Sequence, residues 1–199
     1  MGAFKRYDGA SEDNSITMPR DVLNASSEKL TIGELLGRLE TFDEEGGRMY
    51  PWAKGFAMGY PLPSFQRELV WTIAQKVRFI ESIWAGGDLA SYLLNDTYEF
   101  VGTGSAKVFR EFSETLLDGQ QRLTAMEEYL RGRFAVRDAQ NTPRFWSELG
   151  RVDRRHFAAT TFVRSTVKSF DETLLRKAYD LRAFGGTAHK EHERASQAS

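Results

Sequence analysis

Apolar positions along the chain change their spacing several times, and each change predicts an element. Residues 1–28 are polar and acidic without a sustained period, and read as a mobile N-terminal arm. Thr31-Ile32-Gly33-Glu34 has capping-box spacing, and Ile32, Leu35, Leu36 and Leu39 then fall on one helical face, with a stop expected near Glu44–Gly47. Residues 49–70 hold three prolines among many aromatics, which predicts an extended, looping stretch. Thr72-Ile73-Ala74-Gln75 repeats the capping-box spacing. Ile73, Val77, Ile80 and Trp84 continue it as the clearest amphipathic helix, closed by Gly86-Gly87.

Beyond residue 89 the period shortens. Residues 92–94, 98–101, 108–109 and 116–117 read as short strands, with Gly102–Ser105 as a hairpin turn. A helix is expected from Gly119 to Leu130, with Leu123, Met126 and Leu130 inward. A strand over Thr161–Val167 and a helix over Asp171–Leu181 follow. Mixed elements in irregular order predict an α+β domain over residues 29–194, with 195–199 as a tail.

Composition narrows the function classes. The chain has 199 residues, 41% of them hydrophobic, and no cysteine, which excludes disulfide scaffolds, Cys-ligated zinc and thiol catalysis. No apolar run approaches the roughly 20 residues of a membrane span, so a soluble, cytoplasmic protein is expected. The net charge of −1 hides an asymmetry: residues 1–45 carry −5, 46–130 carry −2, and 131–199 carry +6. Arg131, Arg133, Arg137, Arg144, Arg151, Arg154 and Arg155 suit a nucleic-acid surface, or else pair with the acidic front.

Three strings carry candidate chemistry. Leu116–Arg122 predicts a strand, a glycine turn and a helix start, which presents backbone N–H groups to a phosphate. There Arg122 would grip phosphate oxygens, Asp118 would hold Mg²⁺, and Gln120 or Gln121 would orient water. The alternative makes Asp118 an N-cap with Gln121 completing a capping box. Pro63–Trp71 places Gln66 and Arg67 between the aromatics Phe65 and Trp71, as an anion site with a stacking wall. Phe184-Gly185-Gly186-Thr187-Ala188-His189 allows close backbone approach to a ligand, or simply stops the preceding helix. His189 and His192 with Glu191 and Glu193 read as a solvated tail rather than a metal cluster.

Pro63-x-Phe65-Gln66-Arg67-x-x-Val70-Trp71, Gln75 and Leu117-Asp118-Gly119-Gln120-Gln121-Arg122-Leu123-Thr124-Ala125 resemble the N-terminal domain of GmrSD-type restriction endonucleases, across roughly residues 31–194. The resemblance implies a ParB/sulfiredoxin-like fold and nucleoside-triphosphate binding with Mg²⁺, often with hydrolysis, in phage defence or DNA cleavage, the chain acting either within a restriction system or as a phage-encoded counter-defence against one. By position it assigns Asp118, Gly119, Gln120, Gln121 and Arg122 to the nucleotide site, with Gln66 and Arg67 lining it. Gly185, Gly186, Thr187 and His189 would close it or contact nucleic acid. Ala183 stands where the family pattern has Asn, and the chain lacks the His-Asn-His nuclease pattern, so cutting would call for a separate nuclease partner. A turnover-free DNA- or protein-binding module, a nuclease built on Asp118 with Glu68 and Asp96, and a homo-oligomer are the remaining readings.

Overall fold

The computed structural model describes Met18 and residues 23–42, 44–104 and 107–184. Its centre is a four-stranded mixed sheet in the order β1 (Ser26–Thr31), β10 (Thr161–Val167), β4 (Ser91–Asn95), β7 (Leu116–Asp118). β10 pairs antiparallel with β1 and parallel with β4, and β4 pairs antiparallel with β7. The strand β1 begins at Ser26, inside the segment expected to be an arm, because its backbone completes the edge of β10.

Alternation along the strands divides the interior in two. Tyr92 and Leu94 of β4, Leu116 of β7 and Phe162 of β10 face a large core. Helices α1 (Ile32–Thr41), α3 (Ile73–Trp84), α4 (Gln120–Leu130) and α5 (Arg151–Ala159) contribute Ile32, Ile80, Leu123 and Phe157 to it. Leu93, Leu117 and Val167 face the other way, onto Leu175 and Ala178 of α6 (Glu172–Phe184). This explains why 92–94 is continuously apolar: both faces of that strand are covered.

The helix starts follow the capping signals in part. Gln75 accepts from the Thr72 N–H at 2.8 Å while the Thr72 hydroxyl accepts from the Gln75 N–H at 3.3 Å, a full reciprocal box. At α1 the Glu34 carboxylate accepts from the Thr31 N–H at 2.8 Å and also from the Thr31 hydroxyl. The apolar face of α3 follows the expected one at Val77, Ile80 and Trp84, which pack on the large core, and departs from it at the first turn. Ile73 is 56% exposed, whereas Ile80 and Ile83 are buried, and Lys76 is drawn inward by an ion pair with Glu128 at 2.7 Å. α1 ends at Thr41, before the expected glycine stop, and a short helix α2 (Glu44–Arg48) follows.

The proline-rich stretch is not wholly irregular: it contains an antiparallel hairpin of β2 (Gly55–Ala57) and β3 (Tyr60–Leu62). The expected turn after residue 101 joins β5 (Phe100–Val101) to β6 (Val108–Phe109). A further hairpin, β8 (Val136–Arg137) with β9 (Pro143–Arg144), a 3₁₀ turn at Trp146–Glu148, and α5 complete the arginine-rich third.

Candidate functional site

β7 ends at Asp118 beside β4, and Gly119 turns the chain into α4 with φ 100°. Only glycine fits: a Cβ at Gly119 would lie 2.7 Å from the Tyr92 Cβ, in a conformation that L-residues rarely adopt. Gly119, not Asp118, is therefore the N-cap, and no side chain caps the first-turn N–H groups. The capping-box alternative for Asp118 and Gln121 does not form. Both side chains are engaged elsewhere.

Asp118 sits between two arginines, with Oδ2 3.2 Å from Arg122 Nη2 and 3.4 Å from Arg182 Nη2. Arg122 also donates to the carbonyls of Leu89 at 2.7 Å and Ser91 at 2.9 Å, while Arg182 donates to the Ser91 carbonyl at 2.8 Å and hydroxyl at 2.7 Å. Burial pulls the Arg122 pKa below the ordinary guanidinium value, Asp118 opposes that pull, and Arg182 adds to it. In this arrangement Arg122 braces the sheet edge instead of pointing outward as a phosphate fork.

Gln121 is buried and clamps the facing loop. Its Oε1 accepts from the N–H groups of Val70 (3.1 Å) and Trp71 (3.2 Å), and its Nε2 donates to the Glu68 carbonyl at 3.0 Å. Gln66, also buried, donates to the Leu116 carbonyl at 3.5 Å. Two of the three strings thus meet side by side. Their glutamines hold them together.

Phe65 belongs to the smaller core, 5.7 Å from the Tyr179 ring, with Arg176 over it at 4.5 Å. Trp71 packs on Phe79 at 5.5 Å. Burial raises the Tyr179 pKa, opposed by the charge and backbone N–H of Arg67, which places Arg67 against α6. Gln120 is buried, and its Oε1 has no hydrogen-bond partner. Buried acceptors are nearly always paired, so this one is a local exception.

The third string, Gly185, Gly186, Thr187 and His189, lies outside the described residues, as do His192, Glu191 and Glu193. Position 183 falls in the last turn of α6. Ser91 and Arg182 escaped the sequence reading. Ser91 had no local signal, and Arg182 stood unremarked three residues before the paired glycines.

The carboxylates weighed for a nuclease do not converge. Asp118 faces arginines, Glu68 pairs with Lys54, and Asp96 lies 3.6 Å from Lys168. Among the described residues no group of three or more His, Asp or Glu side chains could hold a metal, and no helix is long and apolar enough to cross a membrane.

The acidic front pairs with the basic third at one described ion pair, Arg164 with Glu28. Arg131 instead pairs with Glu127 (2.8 Å), and Arg144 with Asp138 (2.9 Å), each local in sequence. Arg137 donates to Asn141, and Arg154 to the Ser147 carbonyl. Arg133 is exposed. Arg151, Arg154 and Arg155 border one groove of about 700 Å³ between α1 and α5.

The model of the GmrSD restriction endonuclease N-terminal domain matches residues 52–195. The chain belongs to this family. The GmrSD match spans both the 63–71 loop and the β7–α4 turn, so the two elements joined by Gln121 lie within one family unit. No curated protein and no solved structure matches the chain.

Proposed function

We propose that this GmrSD N-terminal domain binds and hydrolyses a nucleoside triphosphate at the β7–α4 turn, as the regulatory module of a DNA restriction system acting against phage. The observation that carries this reading is the uncapped start of α4, whose first-turn N–H groups follow directly on Asp118 with its two arginines, Arg122 and Arg182. A helix start of this kind favours phosphate. The two arginines over-compensate a single carboxylate, leaving positive charge for an anion.

Arg182 is the more exposed of the pair and would turn from Asp118 to a phosphate, while Arg122 keeps the turn in place. Asp118, so released, would hold the Mg²⁺ that accompanies the phosphates and screens their charge. Gln120 would orient water, and Gln121 would keep the 68–71 loop closed on the site. Calorimetry with ATP, GTP, CTP and UTP in Mg²⁺ tests the reading. At least one should give saturable heat; none with any of the four overturns it.

A second reading rests on α5. Arg151, Arg154 and Arg155 along one groove suit the phosphate backbone of DNA, with cleavage left to a separate nuclease subunit. Salt-dependent retardation of a DNA duplex tests it, and binding indifferent to salt excludes it.

A further inference from the structure

The groove between α1 and α5 has a floor that its arginines do not explain. Leu36 and Leu39 of α1, Leu130 at the end of α4, Trp146, Leu149 and Ala158 line its volume of about 700 Å³. All six are only partly buried, and the five larger ones pack on the edge of the large core. A second depression of about 450 Å³ shares Leu130 and adds Phe145, which is 43% exposed. Apolar side chains scattered over a surface are ordinary, whereas a contiguous set marks an interaction site.

Helical spacing explains the gathering. Arg151, Arg154, Arg155 and Ala158 recur three and four apart, so one face of α5 forms a wall while Phe157 turns away into the core. Leu36, Leu39 and Glu40 form the facing stripe of α1. Two helix walls over an apolar floor make the shape that receives a third helix.

Charge on the rim is one-sided, with three arginines against the single carboxylate of Glu40. Arg151 and Arg155 are exposed, and neither makes an ion pair with a described residue. Arg154 donates to the neutral Ser147 carbonyl. The nearby acids do not offset them: Glu148 and Asp153 lie beyond Leu149, bordering the cavity on its other side. Duplex DNA would satisfy the arginines but leave the leucines and Trp146 in water. A helix with one apolar face and acidic flanks covers both.

We infer that this groove docks an acidic amphipathic helix of a partner protein. Its apolar face rests on Leu36, Leu39, Leu130 and Trp146, and its carboxylates meet Arg151, Arg154 and Arg155. Helix rise puts Leu130 roughly 15 Å along α4 from the turn at Asp118, so the inference rests on no assumption about nucleotide binding.

Fluorescence anisotropy of the full chain with an end-labelled helical peptide tests it. The peptide, about 15 residues long, carries leucines three and four apart on one face and glutamates elsewhere. It should bind saturably, at least about tenfold tighter than a scrambled isomer without an apolar face and than a version with lysine for glutamate. Arg151→Glu with Arg155→Glu, two exposed positions, should weaken binding at least about tenfold without lowering the melting temperature. Binding should also shift the NMR signal of the Trp146 indole N–H, which reports on the floor. Equal affinity for the peptide and its isomer, a double variant that binds like the wild type, an unmoved Trp146 signal or the absence of saturable binding overturns the inference. So does displacement of the peptide by an equal concentration of duplex DNA, which would return the groove to nucleic acid. Calorimetry reads triphosphate binding separately, so either proposal can fail alone.

Discussion

Arg182 and Asp118 stand 64 residues apart in sequence, yet the Arg182 Nη2 lies 3.4 Å from the Asp118 Oδ2. The contact ties the end of α6 to the turn that starts α4. It also doubles the positive charge on a carboxylate that Arg122 already faces at 3.2 Å. Since Arg122 and Arg182 share the Ser91 carbonyl as well, the pair spans β4 and β7 at their common edge.

The two arginines should separate in mutagenesis. Arg122→Ala strips donors from the Leu89 and Ser91 carbonyls in a partly buried setting, and should cost about 2–4 kcal/mol of stability in urea unfolding. Arg182→Ala breaks a more exposed contact and should cost less than about 1 kcal/mol. Triphosphate affinity should nevertheless fall at least about tenfold in Arg182→Ala, a loss of about 1.4 kcal/mol of binding. An Arg182→Ala protein that binds as tightly as the wild type would remove this residue from the site.

Gly119→Ala should be among the most damaging single-methyl additions in the chain. The new Cβ meets the Tyr92 Cβ at 2.7 Å, and φ 100° is strained for alanine in any case. Together these should lower stability by about 2–4 kcal/mol. Gly37→Ala is the control, since a Cβ there meets nothing within 4 Å, and it should be neutral or slightly stabilising.

Gln121→Ala tests the loop clamp. Three hydrogen bonds to the backbone of residues 68–71 disappear, which predicts a loss of about 2–3 kcal/mol and faster proteolysis near Leu69. Gln121→Glu keeps the acceptor for Val70 and Trp71 but cannot donate to Glu68. It should fall between alanine and wild type. If both variants are as protease-resistant as the wild type, the loop is held by Trp71 packing alone.

Much of the architecture was written in local patterns. The capping sequences at Thr31 and Thr72, the doubly apolar 92–94 and the glycine after Asp118 each carry their own physical cause within a few residues, and each marks an element. On α3 the pattern put Val77, Ile80 and Trp84 on the core side, as they are, but missed Lys76, which is drawn inward to Glu128 of α4, a tertiary contact that periodicity cannot register. α5 went unpredicted: Arg151, Arg154 and Arg155 leave Phe157 as its buried side chain, too thin an apolar stripe to read. At the site, the meeting of the Gln66 and Gln121 strings was foreseeable only through the family resemblance. The roles were not, since the partners of Arg122 are main-chain carbonyls, which leave no trace in a sequence.

The cap of α1 gives the chain a pH signature. Its hydrogen bonds with Thr31 lower the Glu34 pKa below the ordinary carboxylate value. A depressed folded pKa means that the cap's stabilisation is present above the ordinary glutamate value, roughly 4.3. It is lost as pH falls through the folded value. The melting temperature of wild type should exceed that of Glu34→Ala near neutrality, with the gap closing on acidification. A gap constant through pH 3 would mean that the charge of Glu34 is irrelevant to the cap.

Arginines of α5 should set the salt dependence of any DNA binding. Each phosphate contact contributes about 0.9 to the slope of log affinity against log salt. Arg151→Ala with Arg155→Ala should therefore flatten that slope by about 2, uniformly across DNA sequences, because backbone contacts carry no base information. Arg154 is the less clean probe. It donates to the Ser147 carbonyl and lies 5.5 Å over the Trp146 ring, so its removal also disturbs packing. Arg131, paired with Glu127 in the same helix, should contribute less than Arg151 or Arg155, since it must first leave its partner. An unchanged slope in the double variant would shift the nucleic-acid surface away from α5, and a slope near zero in wild type would remove it altogether.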